Sequence, residues 1–204
     1  MNAITSAEAR KWCSQKTIGL RVGRFDSLCY KQSEEYKFFI TAPEEHRMIT
    51  AFAYHILYCW GEHSFTGGLL WLQRWNIGRP GIVRPGCLIV ENIRWTHGEL
   101  RSLEVAPAQF FREDELVELH AFLNQTIAFG WVTHYIPCAG RFFIHFKDNR
   151  QVCFTANSAV TLKELRAEFQ RWKPTGKDPT LEGIISLKKS RKQARQRPKS
   201  VNAR

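Results

Sequence analysis

The stretch that decides the fold is Trp131-Val-Thr-His-Tyr-Ile-Pro-Cys-Ala-Gly-Arg-Phe-Phe-Ile-His-Phe-Lys-Asp-Asn-Arg-Gln-Val-Cys-Phe-Thr155. Two turn-forming segments, Pro137–Gly140 and Asp148-Asn149, divide it into three runs rich in aromatic and β-branched residues. Runs of that composition between turn residues are typical of β-strands. The stretch therefore predicts a three-strand antiparallel meander.

The Asp148-Asn149 pair predicts a tight two-residue hairpin loop, because both residues tolerate positive φ. With that loop, Phe143 and His145 share a face with Val152 and Phe154. The opposite face also carries apolar residues, so we expect the hairpin to be covered on both sides.

Helices are predicted on either side of the meander. The acidic segment Arg112–Glu115 suits a helix N-terminus, and Gly130 suits its end. After the meander, Thr161 and Glu164 have capping-box spacing and predict a closing helix that runs to about Trp172. This succession indicates an α+β fold with a mainly antiparallel sheet flanked by helices.

The N-terminal half is less regular. A capping box at Thr5 and Glu8 opens a short helix, Tyr36–Ile40 predicts a strand, and a helix is expected from about Pro43 to Trp60. Residues 61–98 contain two Arg-Pro-Gly tripeptides and are interpreted as a turn-rich connector, in which Leu69–Trp75 has room for two helical turns.

Composition indicates one globular domain, residues 1–172, followed by a basic tail, residues 173–204, that is expected to be disordered. Of the 204 residues, 44% are hydrophobic, which is enough for a sizeable core. Neither a membrane-spanning run nor a signal peptide is evident, so a cytoplasmic location without membrane contact is expected. Six widely spaced cysteines are expected to be free thiols.

The net charge of +11 is concentrated in the tail, where residues 188–204 carry eight cations and no acid, leaving +3 for the rest. Such a segment can bind nucleic acid by releasing counterions, or bind an acidic protein. A solubilising tail and a nuclear localisation signal are the alternatives. The tail residues expected to bind are Lys188, Lys189, Arg191, Lys192, Arg195, Arg197 and Lys199.

A second basic stretch interleaves arginines with tryptophans between Leu69 and Gly98. Exposed aromatic residues stack on bases, and Arg79 and Arg84 would contact the phosphate backbone. For the tryptophans themselves, burial in the core is the preferred interpretation.

Two arrangements suggest chemistry, although no metal or other cofactor is expected. His55, Cys59 and His63 are spaced by four and four, which would place three zinc-type ligands on one side of a continuous helix. Cys138 and His134 are candidates for a nucleophile and its base. For these residues, packing in the core is the preferred interpretation.

Common nucleotide-binding and hydrolase motifs are absent from the sequence. The leading hypothesis is therefore a non-enzymatic binding or adaptor protein whose basic tail contacts nucleic acid or an acidic partner. The alternatives are a small enzyme with a metal or Cys/His site, and an immunity or inhibitor protein. The sequence leaves the oligomeric state open.

Overall fold

The structure is a computed structural model that describes residues 1–21, 27–30, 36–58, 67–75 and 85–176. The strands in these ranges are β1 (Asn2–Ile4), β2 (Ile18–Arg21), β3 (Ser27–Tyr30), β4 (Tyr36–Thr41), β5 (Gly68–Arg74), β6 (Ala108–Phe111), β7 (Val132–Pro137), β8 (Phe142–Phe146) and β9 (Gln151–Ala156). The α-helices are α1 (Ser6–Gln15), α2 (His46–Tyr58), α3 (Pro85–Thr96), α4 (Leu116–Phe129) and α5 (Ala159–Glu168).

Seven of the described strands form one antiparallel sheet in the order β1-β6-β5-β7-β8-β9-β4. The other two, β2 and β3, pair with each other. The predicted α+β class with an antiparallel sheet and flanking helices is confirmed. None of the described helices is both long and apolar enough to cross a membrane.

The sheet buries apolar side chains on both faces, as the meander predicts. Because side chains alternate along a strand, the central strands β5, β6, β7 and β8 each contribute to two separate clusters. The first face packs against α2 to α5 through residues such as Phe38, Ile144 and Phe154. The second face packs against α1 and the β2–β3 pair around Trp71 and Phe143. The sheet is therefore the middle layer of three.

The hairpin between β8 and β9 differs from the prediction by one residue. Lys147 N–H donates to the Gln151 carbonyl at 2.8 Å, so the loop has three residues, and Arg150 adopts a left-handed φ of 63°. This geometry resembles a turn followed by a residue in the left-handed region, a position usually occupied by glycine. The predicted two-residue loop was wrong because arginine gives no signal for this conformation.

The one-residue shift reverses the predicted sharing of faces, because side chains alternate with a period of two. In the structure His145 lies opposite Cys153, and Ile144 lies opposite Phe154. His145 and Phe143 are therefore on the second face, while Val152 and Phe154 belong to the first.

The segment 61–98 is not simply a connector. Leu69–Trp75, predicted as helical turns, largely forms β5, which lies between β6 and β7. The run Leu69 to Leu72 is fully buried, with alternate residues in the two clusters, as in a strand covered on both faces. A short apolar run does not distinguish such a strand from a buried helix.

The second Arg-Pro-Gly tripeptide begins a helix instead of interrupting one. Pro85 occupies the first position of α3, where a missing N–H costs nothing. Gly86 lies close to the Phe129 ring, since a Cβ there would come within 2.4 Å of it. The small residue therefore allows α3 to approach the end of α4.

The predicted helix ends are only partly correct. Thr5 and Glu8 form the predicted capping box, and Gly130 ends α4 with a φ of 62°. The α2 helix begins at His46, three residues after the predicted start. The cap of α5 is Ser158, whose hydroxyl accepts from Thr161 N–H at 3.2 Å, so the prediction of Thr161 as the cap was wrong.

Candidate anion-binding edge of the sheet

A row of five side chains crosses the second face of the sheet at one level. Cross-strand pairing places Trp71 opposite His134, His134 opposite His145, His145 opposite Cys153, and Cys153 opposite Phe39. The two imidazole ring centres are 4.4 Å apart. The hairpin register thus brings together polar side chains that are 11 residues apart in the sequence.

His145 is held in its neutral form. Burial is the largest cause, and together with the charges of His134, Lys147 and Lys37, in that order, it lowers the pKa of its imidazole to about 2. Its Nε2 atom is buried and has no hydrogen-bond partner. Among the described residues, the three side chains that lower this pKa by their charge are all basic, so this part of the face favours an anion over a cation.

The two lysines lie on either side of Phe39. Lys37 precedes it by two residues on β4 and shares its face, and the Lys147 ammonium lies 5.2 Å from the centre of the Phe39 ring. Both lysines are half-buried. The neighbouring Asp148 carboxylate is paired with Arg74. We call Lys37, Lys147 and His145 the basic edge.

The last described residues of the chain lie at the basic edge. Phe39 N–H donates to the Thr175 carbonyl at 2.9 Å, and Thr175 N–H donates to the Phe39 carbonyl at 2.8 Å. This bridge attaches residue 175 to the outer side of β4. The chain that continues into the tail therefore starts beside Lys37 and Lys147.

All nine residues that the sequence predicts to bind nucleic acid or an acidic partner lie outside the described residues. They are Arg79, Arg84, Lys188, Lys189, Arg191, Lys192, Arg195, Arg197 and Lys199. Their contribution to binding stays a prediction from the sequence.

The described part of the aromatic and basic stretch divides between core and surface. Trp71 is 1% exposed, which confirms the preferred interpretation for that residue. Arg94, which is part of α3, is buried, and its guanidinium donates to the Ala106 carbonyl at 3.3 Å. Trp95, on the same helix, is 55% exposed.

His55 packs between two helical segments. Its Nε2 lies 3.2 Å from the Glu168 carbonyl, and its ring centre lies 4.6 Å from that of Phe169. Burial lowers the pKa of its imidazole. Cys59 and His63 lie outside the described residues, and within those residues no group of three metal-ligating side chains is found. The described contacts of His55 are those of a packing residue.

Cys138 and His134 are separated along the chain direction. His134 lies within β7, and Cys138 follows the end of that strand. Four residues of extended chain span about 13 Å, far beyond hydrogen-bond reach. Burial raises the pKa of the Cys138 thiol, and the nearby Lys16 only partly opposes this. The arrangement does not resemble an activated nucleophile with its base.

The basic edge was missed at the level of sequence because its members are far apart in the chain. One signal was present: alternation along Tyr36–Thr41 separates Lys37 and Phe39 from the apolar Phe38 and Ile40. Joining that strand to His145 required the correct hairpin register.

Comparison with known proteins gives no match to a family model, to a curated protein or to a solved structure. The function is therefore argued from the residues of this chain.

Proposed function

We propose that this chain is a non-enzymatic nucleic-acid-binding protein, in which the basic tail contacts phosphates and the basic edge extends that contact onto the folded domain. The observation that carries the proposal is the eight cations without an acid in residues 188–204. Clustered cations of this kind bind phosphate backbones through counterion release, without requiring a base sequence.

The position of the tail supports this proposal. The bridge between Thr175 and Phe39 holds the last described residues of the chain beside Lys37 and Lys147. Lys173, which precedes the bridge by two residues, is exposed. A polyanion bound by the tail would reach these lysines without any change in the fold.

The rival hypotheses have less support. An enzyme would need an activated group, and the thiol of Cys138 has a raised pKa. An immunity or inhibitor protein would use the surface of the domain and would not need the tail. The experiments below distinguish an acidic protein from nucleic acid as the partner of the tail.

The test is a fluorescence-anisotropy titration of the full chain with generic duplex DNA and single-stranded RNA across a salt series. If six or more phosphates are contacted, the affinity should fall by roughly 10³-fold or more between about 50 and 200 mM salt. Replacing the eight tail cations by Gln in the full chain should abolish most of this dependence. Unchanged binding would overturn the role of the tail.

A double variant tests the basic edge separately. The double variant Lys37→Gln with Lys147→Gln should lose about two phosphate contacts. Because the slope of log affinity against log salt is proportional to the number of such contacts, it should become less steep by the same share. Lys11→Gln with Arg47→Gln removes the same charge from the exposed surfaces of α1 and α2 and should change the slope less. Binding to polyglutamate but not to DNA or RNA would instead identify an acidic protein as the partner.

A further inference from the structure

A cavity lies between α1, the β2–β3 pair and the centre of the large sheet. Its volume is about 170 Å³. Four side chains form its floor: Cys13 of α1, Ile18 of β2, Leu28 of β3 and Trp71 of β5. The three residues of the basic edge do not belong to its lining, so the cavity and the basic edge are separate sites.

The floor of the cavity is apolar. Each of its four side chains is at most 4% exposed. Burial raises the pKa of the Cys13 thiol to about 12, so this group stays neutral and behaves as a small apolar side chain. Water in such a place finds few hydrogen-bond partners, and an apolar molecule that displaces it gains contact with the floor. The floor therefore selects an apolar ligand.

The mouth of the cavity does not favour a charged ligand. Arg10 and Ser14 lie one turn apart on α1, line the mouth and are exposed. Arg10 is the one charged side chain among the described residues of the lining, and it already has an interaction partner in the structure. A charged ligand that entered the cavity would lose its hydration without gaining an ion pair. The lining therefore favours an uncharged molecule.

Ser14 provides a polar anchor at the mouth. Its hydroxyl donates to the Lys11 carbonyl at 2.9 Å. A hydroxyl oxygen also has two acceptor lone pairs, so it can accept a hydrogen bond from a ligand while it donates to the helix. The lining thus matches a ring that carries one hydrogen-bond donor.

The volume suits a ligand with one ring. An apolar protein cavity of about 150 Å³ binds benzene, which is close to the size found here. The indole of Trp71 also provides an aromatic surface against which such a ring can pack.

We propose that this cavity is a binding site for a small uncharged aromatic molecule of the phenol class, with its ring against Trp71, Ile18 and Leu28 and its hydroxyl group donating to Ser14 Oγ. The site goes beyond the proposed nucleic-acid binding and does not depend on it. Three features together carry the proposal: a volume for one ring, an apolar floor, and a mouth that offers a hydrogen-bond acceptor while its one charge is already engaged.

The first experiment titrates the full chain with phenol and observes the complex by NMR. Nuclear Overhauser effects should connect the phenol ring protons with the methyl groups of Ile18 and Leu28. Benzoate, which carries a carboxylate on the same ring, should bind about tenfold more weakly or worse, because its charge would be buried without a partner. Phenol that fails to bind or binds without these contacts, or benzoate that binds as tightly as phenol, would overturn the proposal.

A second titration tests the role of Ser14. Toluene has nearly the same shape as phenol but no hydroxyl group. Ser14→Ala should weaken phenol binding by about fivefold and leave toluene binding unchanged, because only phenol loses a hydrogen bond. Gln15→Ala, at the next residue of α1 but outside the lining, is the matched control and should leave both affinities unchanged. An equal effect of Ser14→Ala on the two ligands would contradict the assigned orientation.

A cavity-filling variant tests the space itself. Cys13→Leu should abolish phenol binding and leave the Tm unchanged or higher, because the added carbon atoms enter existing space. Ala9→Leu is the matched control: Ala9 is buried on the same helix but lies outside the lining, so the larger side chain should lower the Tm. Phenol binding that survives Cys13→Leu, or an equal loss of Tm in both variants, would contradict the site.

Discussion

At the scale of the single residue, His145 shows how a fold can hold an imidazole in an environment that disfavours its protonation. The apolar packing of β8 fixes the imidazole next to His134 and within the influence of two lysines. Protonation would add a charge to a buried and already positive region. The folded state therefore favours the neutral form of the His145 imidazole.

This preference predicts a dependence of stability on pH. The pKa of His145 is about 2 in the folded state and about 6.5 in an unfolded chain, so the unfolded state binds more protons between these values. The contribution of His145 to the free energy of unfolding should be complete above about pH 6.5. As the pH is lowered, the free energy of unfolding should fall, by about 2 kcal/mol between pH 7 and pH 5. Urea denaturation at several pH values measures this change.

The variant His145→Phe should reduce that pH dependence, because it keeps a ring of similar size and removes the titrating group. Phe143→Leu, on the same strand and face, perturbs packing but keeps the imidazole, and serves as the control. Identical slopes of stability against pH in the wild type and in His145→Phe would show that this imidazole is not responsible.

At the scale of the secondary structure element, β5 depends on how its first residues enter the sheet. Gly67 has a φ of 85°, and a Cβ there would lie 2.4 Å from the Phe111 carbonyl oxygen. The Gly67 carbonyl also accepts from Cys138 N–H at 3.0 Å. Close approach on both sides of the chain thus requires glycine at this position.

Gly67→Ala should destabilise the protein, because it combines a strained φ with a collision against backbone. Gly98→Ala is the matched control, since Gly98 has a similar φ of 76° and no atom within 4 Å of the added Cβ. Strain alone costs about 1 kcal/mol, and the collision should add about 2 kcal/mol at Gly67. Thermal and urea denaturation compare the two, and equal losses would exclude the collision.

The types of the secondary structure elements were predictable where the spacing of apolar residues agreed with the positions of turn and capping residues. The three strands of the meander, the capping box at Thr5 and the end of α4 at Gly130 follow from local signals. The strand β5 was not predictable, because its apolar run fits a buried helix equally well. The hairpin register was missed because Arg150 adopts a left-handed φ, and an arginine in the sequence does not indicate this conformation.

At the scale of the whole molecule, the two sides of the sheet are unequally built. Four helices cover one face, whereas the other is covered by α1 and the two-stranded β2–β3 pair. A two-stranded sheet is marginal by itself and depends on the packing beneath it. A cavity of about 170 Å³ between α1, Leu28 of β3 and Trp71 of β5 further reduces that packing.

Native-state hydrogen exchange should therefore show two levels of protection. Amides of β7, which pairs with a strand on each side, should exchange only through global unfolding, whereas those of β2 and β3 should exchange at a lower free energy. Equal protection in β7 and β2 would show that the layers unfold as one unit.

The candidate sites were less predictable than the fold. The tail is evident from its composition, but the basic edge joins β4 to β8 across about a hundred residues of sequence, and the cavity joins α1 to β5. Such contacts depend on strand order and register, which local patterns do not specify.

The bridge between Thr175 and Phe39 also affects how the molecule avoids its own copies. An outermost strand with unpaired backbone groups is a template for aggregation. Thr175 occupies the Phe39 N–H and carbonyl, so the middle of β4 is closed to another chain. Rupture of these two hydrogen bonds would expose the template.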